Sequence, residues 1–479
     1  MGSVLKMPTK SKRFDYLRKQ YTVFIYEAHH WKIKGQKMYL EFSFQVGKIT
    51  FNPKSNIKFP KGINLDRLSK KQKDLIENLV FQIGMVEMIS YWKATCSPEI
   101  LIQAYKLGAA QQRWWKKLFY NGLGEFLYLN KIKTNENDLV KFRFDGGNGL
   151  AAANEKLALI EGIKSNAKGV IIPIGGGKDS LATVEVLKKH RGKKYFLLMN
   201  PTRAAKDSIK LAADKLTEQK IIIERKIDRR LLDLNAKGYL NGHTPFSAML
   251  AFYCSLSAVV TGAKYSVLSN ESSANEPTIL GTNINHQYSK SYEFEKDFNR
   301  YLDKYVSKDV EYLSLLRPLN ELQIVGIFSS NQKNFKIFKS CNVGSKKDEW
   351  CCNCSKCLFV FILLSARIGI EKCTKIFGEN LFENKSLRKT FVELIGRSKT
   401  KPFECIGTID EVNVALTMLH QQEASAFEQM DLLRYYKKRH SDAFADKREI
   451  RNIRNQFDKK HRIPQNLLAL LKEAHAKAN

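Results

Sequence analysis

One segment constrains this chain more than any other: residues 170–182 run Val-Ile-Ile-Pro-Ile-Gly-Gly-Gly-Lys-Asp-Ser-Leu-Ala. An apolar run that ends in three glycines reads as a buried strand, and the residues after it read as a helix start. Glycines let backbone N–H groups close around an anion, and the amino terminus of the following helix adds the positive end of its dipole. The order strand, glycine turn, helix therefore predicts an α/β sheet with an anion site at the carboxyl end of the strand. The P-loop of nucleotidases needs glycine where this chain has Ile172 and serine or threonine where it has Asp179, so that pattern fails.

Downstream, residues 195–199, 221–224 and 265–268 are further short apolar runs with helical patterns between them, which predicts a doubly wound parallel sheet. Upstream the pattern differs. Residues 21–26, 38–46 and 48–51 read as short strands, helical periodicity runs from 65 to about 107, and a further helical stretch holds Trp114, Trp115 and Phe119. The breaker cluster Asp145-Gly146-Gly147-Asn148-Gly149 is the expected boundary. The expected organisation is an α+β amino-terminal domain over 1–145, an α/β domain with the anion site and most of the cysteines over 146–412, and a basic helical extension over 413–479.

Charge limits the partners. Eighty Lys and Arg against 48 Asp and Glu leave a formal charge of +32, which attracts polyanions: nucleic acid, anionic membrane or phosphorylated small molecules. The lysines are scattered and no RNA-binding module is recognisable, so nucleic acid is the less favoured of these. The uncharged run 244–263 approaches membrane-spanning length, but Pro245, Ser247, Ser255, Ser257 and Thr261 suit a helix buried against a sheet, and no membrane span is expected. Lys6, Lys10, Lys12 and Arg13 are not followed by an apolar core, so no secretory signal is expected. Nine cysteines, five of them from Cys351 to Cys373, point to a metal site in a reducing compartment, and the expected location is the cytoplasm.

Cys341, Cys351, Cys354 and Cys357 form C-x9-C-x2-C-x2-C, a spacing at which thiolates wrap a tetrahedral Zn²⁺. Four protein ligands leave no open position, so the metal would be structural. Cys352 is an alternative to Cys351, whose x2 spacing to Cys354 favours it, and an iron–sulfur cluster shares the ligand chemistry. Trp350 and Phe359 flank the motif and can shield it.

The glycine segment resembles the Ser-Gly-Gly-x-Asp-Ser loop of PP-loop ATP pyrophosphatases through Gly176, Gly177, Asp179 and Ser180, with Gly175 in place of the usual serine. The resemblance implies an adenine nucleotide α-hydrolase-like fold in which Gly175, Gly176, Gly177, Lys178, Asp179 and Ser180 hold ATP and Mg²⁺ while AMP and pyrophosphate separate. A similar cysteine arrangement ends the catalytic domain of 7-cyano-7-deazaguanine synthase, another PP-loop enzyme. Six further segments narrow the choice: Glu87 to Lys93, Gly122-Leu123-Gly124-Glu125-Phe126, Gly242-His243-Thr244-Pro245, Asn270 to Glu276, Asn285 to Ser291, and Lys401-Pro402-Phe403-Glu404-Cys405. Together they resemble the UDP-N-acetylmuramoyl-L-alanyl-L-glutamate epimerase family of peptidoglycan synthesis, over about residues 87–407.

That resemblance implies an ATP-dependent isomerase that turns the terminal L-glutamate of a UDP-muramoyl dipeptide into D-glutamate. The Cα–H beside a free carboxylate is a poor acid, and adenylation removes the charge that makes it so. His243 and His286 are the candidates for acid–base function because imidazole titrates near neutrality. Glu271 and Cys254 are secondary candidates, and Lys290 with His286 is placed to hold an anionic substrate. The competing enzyme reading is a tRNA- or nucleobase-modifying PP-loop protein. The competing non-enzymatic one is a regulatory nucleotide binder with a degenerate loop.

Overall fold

The structure, a computed structural model, describes residues 7–144, 162, 166–212, 219–276, 288–404 and 406–478. Eleven strands form one sheet: β1 (Val23–Lys34), β2 (Lys37–Val46), β3 (Ile49–Phe51), β4 (Lys54–Lys58), β5 (Glu99–Ile102), β6 (Lys141–Phe144), β7 (Asn166–Pro173), β8 (Lys194–Met199), β9 (Lys220–Lys226), β10 (Ala263–Leu268) and β11 (Glu311–Ser314). Their order is β11-β10-β7-β8-β9-β4-β2-β1-β5-β6, with β3 paired to β2.

The two halves of the sheet are built differently. In β2, Met38, Leu40, Phe42, Phe44 and Val46 alternate with less buried residues, the signature of an antiparallel strand with one packed face. From β7 to β11 all neighbours are parallel and buried on both faces: Ile171, Leu197 and Ile223 enter one core, while Val170, Ile172, Phe196 and Leu198 enter the other. β4 joins the halves by pairing antiparallel with β9, Ile57 opposite Ile223. The expected boundary at Asp145–Gly149 lies outside the described residues, and strands from either side of it share this sheet.

Helical periodicity carries the Lys70–Trp92 helix, which opens on a capping box of Ser69 and Gln72. The helix does not continue to 107 as the pattern predicts. Cys96 takes a φ of 50°, Pro98 follows, and β5 pairs parallel with β1, burying Ile100 and Ile102. The proline bars a helix there, and the spacing of the two isoleucines is that of a strand. Residues 244–263 do form a buried helix, Phe246–Thr261, closed by Gly262 in the left-handed conformation. No described helix is long and apolar enough to cross a membrane.

In the parallel half the chain runs outward from β7 through β8 to β9, then returns to the other side of β7 for β10 and β11. The strand order reverses between β7 and β10, and in an open sheet ligands lodge at that point, beyond the carboxyl ends of the strands. The loops there are residues 174–177 after β7, Asn270 to Glu276 after β10, and the segment after β11 that carries Arg317 and Glu321.

Candidate functional site

The glycine run follows β7 and ends where the Lys178–Val186 helix begins. Gly176 has a φ of +86°, and a Cβ there would stand 2.5 Å from the backbone nitrogen of Ala205 and 2.7 Å from the carbonyl carbon of Ala204. Only glycine fits. A Cβ on Gly175 would have nothing within 4 Å, so the outer side of the loop faces open space. The loop is braced from the cysteine segment: Lys339 N–H donates to Gly176 O at 2.9 Å, and Lys178 N–H donates to Ser340 Oγ at 3.1 Å. Ser180 Oγ donates to Gly177 O at 2.9 Å.

Lys178 points inward. Its fully buried ammonium is ion-paired with both Asp179 and Glu321. Burial works against that charge, but the two carboxylates outweigh it and raise the pKa. Burial, with Asp179 and Glu271 nearby, pushes Glu321 up to about 8 against the pull of Lys178 and Lys356. Asp179 goes the other way. Burial favours its neutral form, yet the charges of Lys178 and Lys356, a hydrogen bond from Lys178 and the charge of Lys290 hold its carboxyl below the ordinary value. Its side chain is 28% exposed, so an ionised acid reaches solvent in the first turn of the helix.

Around this centre the structure gathers segments distant in sequence. Arg317, fully buried, donates to Glu271 O at 2.5 Å and to Lys290 O, which ties the loop after β10 to the Lys290 segment. Lys401 pairs with Glu276 and donates to Gly407 O at 2.8 Å. Glu411 Oε1 accepts from Glu321 N–H at 2.7 Å. Phe403 lies against Tyr128 with ring centroids 5.3 Å apart, which brings the Gly124–Leu129 helix to the same wall.

That helix carries Glu125, whose Oε2 is 3.7 Å from His243 Nδ1. Beside it Lys93, nearly buried, donates to Gly242 O, and burial followed by the charge of Arg225 lowers its pKa to about 8. Arg225 is itself held by Glu87 at 2.7 and 2.9 Å. His286 lies outside the described residues. Cys254 sits fully buried in the Phe246–Thr261 helix, and burial pushes its thiol well up, the setting of an inert core cysteine.

The sulfurs of Cys341, Cys351, Cys354 and Cys357 all lie within 4.8 Å of one another. Cys354 and Cys357 are 3.5 Å apart, Cys351 and Cys357 3.8 Å. One tetrahedral ion with Zn–S bonds of about 2.3 Å needs sulfurs about 3.8 Å apart, so the four thiols fit it. Cys352 is turned away, with a φ of 49° and its Sγ on Phe377 O at 3.5 Å. Trp350, next to Cys351 in the chain, stacks on Phe377 with centroids 4.1 Å apart. A cavity of about 390 Å³ lined by Arg397, Asp410, Asn413, Asp442 and Glu449 is separate and shares no residue with the glycine-loop site.

The family profile described as the MurL N-terminal domain matches residues 16–315, more than half the chain, and the one described as the MurL C-terminal domain matches 327–450. The chain belongs to the MurL family. Two relatives from Xanthomonas oryzae pv. oryzae and Salinispora tropica are each named UDP-N-acetyl-alpha-D-muramoyl-L-alanyl-L-glutamate epimerase. The first is 32% identical over 345 residues, covering 70% of this chain and 73% of the relative. The second is 31% identical over 346 residues, covering 71% and 72%. A third, from a Micromonospora species, carries the same name at 30% identity over 350 residues, 71% of this chain and 74% of the relative. No solved structure matches the chain.

The candidate site draws on both matched regions. The glycine loop, His243, Glu271 and Lys290 come from the first, and the four cysteines, Lys356 and Lys401 from the second. Glu321, in neither match, is the residue that sequence reasoning passed over. A signal existed: Asn320 and Gln323 form a capping box that announces a helix at the carboxyl end of a strand, where an open sheet puts its ligands.

Proposed function

We propose that this chain inverts the α-carbon of the terminal glutamate in UDP-N-acetylmuramoyl-L-alanyl-L-glutamate from L to D, an isomerase step of peptidoglycan synthesis, at the expense of ATP. The observation that carries it is the shared name of three relatives that each align with about 70% of the chain at 30–32% identity. The glutamate α-carboxylate displaces pyrophosphate from ATP and becomes an uncharged acyl adenylate, which makes the adjacent Cα–H acidic enough to remove; a proton returns from the opposite face, and water then hydrolyses the mixed anhydride to the free carboxylate and AMP.

The chain's own residues then have definite tasks. The amides of the glycine run and the amino terminus of the Lys178–Val186 helix would hold phosphate, in the PP-loop manner, and ionised Asp179 would take Mg²⁺, whose charge offsets that of the departing pyrophosphate. Lys178 does not reach phosphate in this reading; it neutralises Glu321 and sets Asp179 at the loop. His243, oriented by Glu125, moves a proton at the glutamate Cα. His286 stands as the second proton carrier on its sequence position, with Lys290 and Glu271 lining the polar wall. The four-thiol cluster holds structural Zn²⁺: the thiolates that ligate the several irons of an iron–sulfur cluster stand farther apart than these.

The test is incubation with ATP and the L-glutamate dipeptide nucleotide, followed by hydrolysis and chiral analysis. D-Glutamate with equimolar AMP is the expected result. Retention of L-glutamate, with pyrophosphate released only when tRNA or a deazaguanine precursor is added, overturns the proposal.

A further inference from the structure

His243 stands on no helix or strand: the Arg229–Ala236 helix ends before it and the Phe246–Thr261 helix begins after it. A side chain on such a segment transfers a proton efficiently only if the backbone beneath it is fixed, because a shift of about 1 Å in a reacting group can cost on the order of 100-fold in rate.

Three bonds tie this segment to the first 130 residues. Leu240 N–H donates to Ala94 O at 3.2 Å, Asn130 Nδ2 donates to Asn241 O at 3.1 Å, and Lys93 Nζ donates to Gly242 O. Two close approaches add to them: a Cβ on Gly242 would meet Phe126 Cδ2 at 3.2 Å, and one on Gly122 would meet Pro245 Cβ at 2.9 Å. Glu125, whose Oε2 is 3.7 Å from His243 Nδ1, shares its short helix with Phe126, and Asn130 at the end of that helix also donates to Phe126 O at 2.8 Å. One unit therefore carries both the carboxylate that faces the imidazole and a donor that fixes the backbone beside it. Lys93 and Asn130 are buried and bond the chain, while the imidazole, 28% exposed, meets solvent.

We propose that Lys93 and Asn130 are positioning residues for proton transfer: they hold the backbone that leads into His243 so that its imidazole stays against Glu125. The inference rests on the reading that His243 moves a proton at the glutamate Cα. Adenylation and proton transfer can be followed separately, the first as dipeptide-dependent exchange of labelled pyrophosphate into ATP and the second as deuterium incorporation at the glutamate Cα. Both are measured on the parent, Lys93→Met, Asn130→Ala, His243→Gln and the double variant Lys93→Met/His243→Gln. A misplaced imidazole predicts that Lys93→Met and Asn130→Ala each lose on the order of 10-fold to 100-fold in deuterium incorporation. Their pyrophosphate exchange stays near the parent's. The double variant incorporates deuterium no more slowly than His243→Gln alone, because a residue that acts through His243 then has nothing to position.

Parent-like deuterium incorporation in either single variant, equal losses in the two reactions, or losses that multiply in the double variant overturns the proposal. Undiminished incorporation in His243→Gln is a different result: it refutes the proton-transfer reading itself, and the positioning role falls with it.

Discussion

Replacing Gly176 by alanine tests whether the loop's shape is imposed by the backbone around it. Two costs add. An L-residue with a side chain in the left-handed region costs about 1–2 kcal/mol, and Gly176 has a φ of +86°. The new methyl would also stand 2.5 Å from the Ala205 nitrogen and 2.7 Å from the Ala204 carbonyl carbon, both backbone atoms at the start of the Arg203–Ala212 helix. They cannot swing aside as a side chain does, and such overpacking costs about 1–3 kcal/mol. The sum, about 2–5 kcal/mol, lowers the population of the native loop by a factor on the order of 30 to a few thousand. Ligand affinity falls with the fraction of competent protein. Calorimetric titration with Mg·ATP should therefore show binding weakened by at least about tenfold, alongside a lower urea midpoint. Gly175→Ala is the stability control: its Cβ meets nothing within 4 Å, so its urea midpoint should match the parent's. A Gly176→Ala chain with the parent's midpoint and the parent's ATP affinity refutes the steric reasoning.

Lys178→Met takes the shared cation away from Asp179 and Glu321, which costs about 3–5 kcal/mol of folding stability. Adding Glu321→Gln relieves the crowding of the two carboxyls and should restore part of the loss in urea unfolding; a single variant as stable as the parent contradicts the pairing. His243→Gln should slow solvent deuterium incorporation at the glutamate Cα by on the order of 100-fold or more, read by mass spectrometry, and undiminished exchange removes His243 from proton transfer. Lys93 gives a pH signature. Its pKa is lowered from 10.5 to about 8, so between those values the unfolded chain keeps a proton that the folded chain has released. The group's contribution to stability therefore rises with pH across that window. Lys93→Met should flatten the rise in a pH series of unfolding curves, and an identical slope in parent and variant rules out the shift.

Features carried by neighbouring residues are legible from the order of amino acids alone. The glycine loop needs only an apolar run, three glycines and a helix start, and residues 244–263 announce a buried helix because an uncharged run with scattered hydroxyls has one inexpensive place to go. The four thiols follow from spacing, since C-x2-C-x2-C puts three sulfurs within seven residues. Even Cys351 is preferred over Cys352 on spacing, and the φ of 49° at Cys352 shows the backbone turning that thiol away.

Pairings between distant residues are not legible in this way, because each depends on two segments whose meeting neither encodes alone. β4 joins β9 across some 170 positions and merges two sheets that read separately as an α+β and an α/β pattern. The strand after Pro98 hides in an apolar run too short for periodicity to identify, and β1 decides it by offering an open edge.

Lys178 is the clearest case. Its place in the loop suggests a cation for phosphate, and its chemistry allows that. Glu321, 143 positions later, enters from beyond β11 and draws the ammonium inward, while Lys356 comes in from the cysteine motif. Local sequence thus determined the loop, its helix and the four-thiol cluster, which are short-range matters of backbone freedom and thiol spacing. Which charges face one another across the site was settled only by packing, because coulombic partners are chosen by distance in space and not by distance along the chain.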